Sequence, residues 1–163
     1  MKIVWDVDGV IRNLGIVHKR FNIPKTMDWH WIYKDKDIYG WVKEDYSVLI
    51  NASPTKYLDV LKESNNGSVI EFWTYQPPDW KPYLKQWLNK YFKKYIIRYL
   101  KPDQKYKRLQ KHKNVILVED YPNYPSYDRI ILIDRYYNKD TKATIRITSK
   151  KQLKNLLEIY NEN

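Results

Sequence analysis

Two carboxylates lie two residues apart in the segment Trp5-Asp6-Val7-Asp8-Gly9-Val10. While a chain stays extended, side chains at such spacing leave on the same side, and a glycine just beyond permits a sharp turn. Asp6 and Asp8 therefore meet at the mouth of whatever element precedes them. Paired carboxylates repel unless a cation sits beside them or one takes a proton. A hard divalent cation, Mg²⁺ above all, answers that need with oxygen ligands alone. One carboxylate can then attack phosphorus while its neighbour carries the leaving-group proton. The competing reading is that aspartate often ends a strand merely to begin a turn.

The preceding run Ile3-Val4-Trp5 is apolar and too short for a helix, as expected of a strand buried on both faces. Together, Val4 to Ile11 resemble the first motif of the haloacid dehalogenase superfamily of phosphotransferases. The resemblance implies that Asp6 is the phosphorylated nucleophile and Asp8 the general acid and base. It also implies that Mg²⁺ is held by the first carboxylate and the second residue's backbone carbonyl.

The rest of the chain offers the other parts in order. Ser68 to Thr74 reads as a second strand ending in a hydroxyl, and Thr74 resembles the second motif, which donates a hydrogen bond to the transferring phosphoryl group. The third motif is a lysine that neutralises nucleophile and phosphate. Lys101 before Pro102 resembles one form of it and Lys105 another, with Lys101 the first choice. Val115 to Asp120 is a buried-type strand closing in two acids, and it resembles the fourth motif. Asp120 would complete the metal shell, with Glu119 beside it or holding a metal-bound water. Asp134 ends a further strand from Arg129 and is a rival acid. The turn Arg135-Tyr136-Tyr137-Asn138 fits a supporting loop better, and it is similar to one in the deoxyribonucleotidase branch, with Tyr136 in place of a proline.

Residues 14–51 form a long insertion directly after the first motif, with short helices expected over 16–21 and 46–50. In the superfamily a small helical cap at this point closes over the site. Trp29, Trp31, Tyr33 and Trp41, with Tyr75 after the second strand, thus become candidates to contact substrate. The competing reading makes the aromatics the cap's own core. Helices are expected from the Ser53-Pro54 start, from an Asp79 cap to Phe92, from the Lys101–Lys105 region to His112, and from a Ser149–Gln152 capping box onward.

Alternating strands and helices predict an α/β fold: a three-layer, Rossmann-like parallel sheet with its site at the strands' carboxyl ends. The 163 residues suit a single domain with residues 14–51 as a small cap within it. There is no cysteine, hence no disulfide and no thiolate metal site, and the three histidines lack metal-ligand spacing. No membrane span or secretory signal is read, so a cytoplasmic location is expected.

The formal charge of +11, from 30 Lys and Arg against 19 Asp and Glu, favours polyanionic partners, although lysine spreads through the chain without forming one block. Seven Trp and 16 Tyr among these basic residues suit nucleobase stacking. The reading is a Mg²⁺-dependent phosphomonoesterase, with the branch resemblance implying a 5′-nucleotidase on deoxyribonucleotides. Two alternatives are a phosphatase of nucleic-acid 3′-ends and a binding protein that keeps the scaffold without the activity.

Overall fold

In the computed structural model, residues 1–24, 31–65 and 67–162 are described, the side chains of 161 and 162 excepted. The chain opens with β1 (Lys2–Trp5) and a short β2 (Arg12–Asn13), then α1 (Ile16–Arg20), α2 (Ile38–Glu44) and α3 (Ser47–Asn51). There follow β3 (Ser53–Pro54), α4 (Leu58–Ser64), β4 (Ile70–Thr74), α5 (Lys81–Asn89) and β5 (Tyr95–Tyr99). The remainder is α6 (Pro102–Lys111), β6 (Val115–Glu119), β7 (Ile130–Ile133), β8 (Ile145–Ile147) and α7 (Lys150–Glu162).

Six strands form one sheet in the order β5-β4-β1-β6-β7-β8, every pair parallel. The fold is a three-layer, Rossmann-like α/β arrangement, as the sequence predicts. Side chains alternate across each strand, so the buried residues divide into two sets. Trp5, Phe72, Ile116, Val118, Ile131 and Ile133 face α4, α5 and α7 through Leu61, Leu84, Leu88, Leu153 and Leu157. Val4, Trp73, Leu117 and Ile130 face Leu109 of α6 on the other side. Burial on both faces explains the unbroken apolar runs of the central strands. The outward flank of β5 and that of β8 are the sheet's two edges.

The segment after β1 makes a turn that matters for the site. The Val7 carbonyl accepts from the amides of both Ile11 and Arg12, and the Gly9 amide donates to the Arg12 carbonyl. This brings Arg12 back beside Asp8. It also starts β2, which pairs antiparallel with β3.

Two local expectations are corrected. Ser53-Pro54 forms a strand, not a helix start, because the Thr55 hydroxyl and amide bond the carbonyls of Val10 and Ile11 and hold the segment against the chain after β1. Asp79 does not cap α5: it lies in a 3-10 turn over Pro78–Trp80, and its carboxylate accepts from the Tyr46 hydroxyl at 2.6 Å. Helix α2 was not foreseen. Asp37 caps it by accepting from the Gly40 amide at 2.9 Å.

Helices α1 to α3 and their connections have an apolar centre of their own, made of Val17, Ile23, Trp31, Val42, Val48 and Leu49 and closed by Trp80 from the turn before α5. Tyr46 stacks on Tyr83 of α5 with 4.9 Å between ring centres, a second tie between this cluster and α5. Among the described residues, no helix is long and apolar enough to cross a membrane.

Candidate active site and metal centre

Strands β1 and β6 are neighbours, so their carboxyl ends deliver acids side by side. Asp6 follows β1, with its amide bonded to the Val118 carbonyl at 2.9 Å. Glu119 ends β6 and Asp120 follows it. Carboxylate oxygens of Asp6, Glu119 and Asp120 lie within 4.8 Å of one another, and all three residues are buried.

Lys105 enters this group from α6. Its Nζ donates to Asp6 Oδ1 and to Glu119 Oε2, both at 2.7 Å. The other Glu119 oxygen accepts from the backbone amides of Asp120, at 3.0 Å, and Tyr121, at 3.4 Å. Of the two lysines the sequence offers, Lys105 reaches the acids. Lys101 does not: it is the exposed residue before α6, one helical turn short, with its amide donating to Gln104 Oε1 at 2.9 Å.

Asp120 is fixed from beyond β7. The Tyr137 hydroxyl donates a short hydrogen bond to Asp120 Oδ2. Asn138 Nδ2 donates to the carbonyls of Asp120 and Ile133, each at 2.9 Å. Gly9 completes this wall with φ +78°, where a Cβ would stand 1.7 Å from Asp120 Oδ2. Only glycine lets the turn after β1 close on Asp120. Asp134 is not part of the centre, since it pairs with Arg146 at 2.7 Å.

Burial and the neighbouring Glu119 push the Asp6 carboxyl up to about 7, against the opposing pull of Lys105. Asp120 is raised well above the carboxylate range, by burial first and then by Glu119 and Asp6. Burial would lower Lys105, but Asp6 and Glu119 outweigh it and hold the ammonium above its ordinary value. Three buried carboxylates thus lie together with one ammonium, which bonds two of them. Such a site is short of positive charge, and a hard cation with oxygen ligands fits it.

The Asp8 side chain, expected as the general acid and base, is held by two neighbours. Its Oδ1 accepts from Arg12 Nε at 2.6 Å, while Oδ2 accepts from Arg12 Nη2 at 2.9 Å and from Gln76 Nε2 at 2.6 Å. The turn at Val7 explains this pairing, because it returns Arg12 to the side of Asp8. Gln76 Nε2 also donates to Thr74 Oγ1 at 3.1 Å, so the hydroxyl at the end of β4 is tied to Asp8 through one amide. Arg12 and Gln76 were not foreseen. A charged residue four positions after Asp8, inside an apolar stretch, was the available signal for the first.

A cavity of about 280 Å³ opens between α2 and the turn after β4, lined by Tyr39, Lys43, Tyr75 and Trp80 among others. Burial, Tyr75 and then Asp8 push the phenol of Tyr39, on the wall of this cavity, up to about 12. Tyr75, a candidate from the sequence, lines this cavity together with Tyr39 and Lys43, which the sequence reading does not single out. Trp31, Tyr33 and Trp41 do not line this cavity. Trp31 is buried against His18, and Trp41 packs on Phe21 and Tyr33, as short amphipathic helices need their rings for their own core. Trp29 lies outside the described residues.

No family model and no curated protein matches this chain. Among solved structures it is similar to a crystal structure described as a hydrolase from Streptococcus pneumoniae TIGR4, at a TM-score of 0.47 and 11% identity over 96% of this chain and 97% of that one.

Proposed function

We propose that the chain is a Mg²⁺-dependent phosphomonoesterase working through an aspartyl phosphate, with nucleoside monophosphates as substrates. The observation that carries this reading is the ammonium of Lys105 bridging Asp6 and Glu119, with Asp120 beside them, at the carboxyl ends of two adjacent parallel strands.

An Asp6 oxygen attacks phosphorus, and the phosphorus bond to the ester oxygen breaks. Asp8 gives the departing oxygen its proton. In the second half Asp8 takes a proton from water, whose oxygen attacks phosphorus and releases inorganic phosphate and the Asp6 carboxylate. Lys105 favours the ionised form of Asp6 against the pull of burial and Glu119, and offers positive charge to the phosphoryl oxygens, where most catalysis of this reaction resides. Thr74, buried at the end of β4, would donate its hydroxyl to the transferring phosphoryl group. Arg12 and Gln76 hold the Asp8 carboxylate in one orientation. Asp6, Asp120 and Glu119 would hold Mg²⁺, which supplies Lewis-acid charge neutralisation when bound.

Tyr39, Tyr75 and Lys43 around the neighbouring cavity support a leaving group with a flat ring and negative charge nearby. The test is phosphate release from a panel of nucleoside monophosphates, with Mg²⁺ and with a chelator, by the native chain and by Asp6→Asn. Turnover should need Mg²⁺ and should vanish in the variant while its circular dichroism is unchanged. A variant retaining the native rate would refute the nucleophile. Calorimetric Mg²⁺ binding without hydrolysis of any nucleotide would instead favour the binding-protein reading.

A further inference from the structure

Lysine spreads through the chain, but net charge does not. Residues 81–113 carry twelve of the 30 basic residues and, in Asp103, one of the 19 acidic ones, so the 18 of each sign elsewhere cancel. The whole excess of +11 therefore lies in α5, β5, α6 and their connections. These three elements form one edge of the molecule: β5 borders the sheet, with α5 on one face and α6 on the other.

Basic residues elsewhere often meet acids, as in Lys150 with Asp59, Lys154 with Glu63 and Arg20 with Asp45. Along the edge, Lys85, Lys93, Lys94, Lys101, Lys111 and Lys113 are exposed, and among the described residues none is in ion-pair distance of an acid. Protection of an open strand from aggregation does not account for them. The one charged residue on β5 itself, Arg98, is paired with Glu71, and the free lysines sit on helices and loops around the strand.

Rings interleave with this charge. Lys81 Nζ stands 4.5 Å from the centre of the Tyr99 ring, and Tyr95 is half-buried on the same strand. The edge also runs into the site. Tyr99 is in register with Thr74, the Leu100 amide donates to the Thr74 carbonyl at 3.0 Å, and α6 then carries Lys105 to Asp6. A polyanion following the edge ends at the acids.

We propose that this edge binds single-stranded nucleic acid and presents a phosphorylated end of it to the site. The binding half stands on the edge alone, whereas the presentation half rests on the phosphomonoesterase reading. Basic residues among rings suit a flexible strand, whose bases stack and whose phosphates need only nearby charge. An anionic membrane surface is a poorer fit, since Ile96 is the one large apolar side chain strongly exposed here among the described residues, and interfacial binding needs a broad apolar face.

The experiment uses the full chain with Asp6→Asn, so that nothing is turned over, and a fluorescein-labelled oligonucleotide read by anisotropy over a salt series. Lys85→Glu with Lys94→Glu and Lys111→Glu should weaken binding by tenfold or more. Loss of three phosphate contacts should lower the slope of log affinity against log salt by about 2. Lys139→Glu with Lys142→Glu and Lys151→Glu, on the opposite edge, should leave affinity within about threefold if general charge attraction is minor.

With native Asp6, the edge variant should keep its rate on p-nitrophenyl phosphate and lose about tenfold on an oligonucleotide carrying a terminal phosphate, in line with the lost affinity. Equal weakening by both triples, no oligonucleotide binding at low salt, or binding to anionic vesicles in place of the oligonucleotide would each overturn the binding surface. Edge-dependent binding with no phosphate released from the oligonucleotide or from any nucleotide would uphold the surface and remove the activity.

Discussion

Asp8 and Arg12 face each other through two parallel hydrogen bonds, Nε to Oδ1 at 2.6 Å and Nη2 to Oδ2 at 2.9 Å, with the arginine fully buried. The guanidinium sits 5.8 Å from the centre of the Trp87 ring, and a further nitrogen reaches the Leu49 carbonyl at 3.4 Å. A planar fork held on three sides can define the orientation of a carboxylate, which a lysine cannot reproduce.

Arg12→Lys should therefore lower kcat by about 10²-fold with little change in KM, the scale expected of a misplaced catalytic group. The loss should be larger for an alkyl phosphate, which needs a proton on its leaving oxygen, than for p-nitrophenyl phosphate. Rates for both esters measured on the same variant decide the point. An equal drop for the two would assign Arg12 to packing alone.

Lys105 and Lys101 should differ sharply. Lys105→Met leaves Asp6, Glu119 and Asp120 buried without their ammonium, a change expected to cost about 3–5 kcal/mol of stability and all turnover. Added Mg²⁺ should restore part of the stability by binding the folded form. Lys101→Ala should stay within about twofold of the native rate, because an exposed residue away from such features is nearly neutral. Urea midpoints and phosphate release from the two variants test this, and a dead Lys101→Ala would reverse the assignment.

These lysines also mark how far the sequence could be read. Val115 to Val118 and Ile130 to Ile133 are legible as central strands because burial on both faces leaves an unbroken apolar run. Acids just past such runs are legible as a site. Choosing between Lys101 and Lys105 requires knowing that α6 begins at Pro102 and turns Lys105 back over the sheet. Arg12 was hidden because its partner is set by a turn at Val7 that no propensity specifies. In the insertion, Gly40 and a length of seven residues concealed α2, and composition cannot say whether a ring in a short helix faces a mouth or its neighbours. Trp31 and Tyr39 took opposite courses for that reason.

Crowding of acids should make the metal-free site a burden on the fold. Asp6 is raised to about 7 and Asp120 is raised well above the carboxylate range, both chiefly by burial. A carboxyl raised on folding costs nothing below its unfolded value near 4, and its penalty grows as pH rises through the folded value. Asp120→Asn should thus stabilise the metal-free chain at pH 8 by about 1 kcal/mol or more, which is about 2–4 °C in Tm for a chain of this size. The same variant should lose the upward shift of Tm on adding Mg²⁺. Thermal melts at pH 5 and pH 8, with and without the ion, measure both. A stabilisation equal at the two pH values would disconnect it from ionisation.

Glu71 should show the opposite pH dependence. Its carboxylate is buried in β4 between strands, accepting from Lys2 Nζ and Arg98 Nε at 2.5 Å each and from Trp73 Nε1 at 2.6 Å, so that it joins β1, β4 and β5. Burial alone would raise it, but these three donors prevail and hold it down to about 2. The stability this contributes is fully present above the ordinary glutamate value near 4.3 and is lost as pH falls through 2. Glu71→Gln keeps the shape and removes the charge, and at pH 7 it should cost about 2 kcal/mol, the scale of hydrogen bonds to a charged group. That gap between native and variant urea midpoints should be unchanged from pH 7 down to about 5 and then narrow toward pH 2. A gap of the same size at pH 7 and pH 2.5 would mean that the shape of the side chain, and not its charge, ties the three strands together.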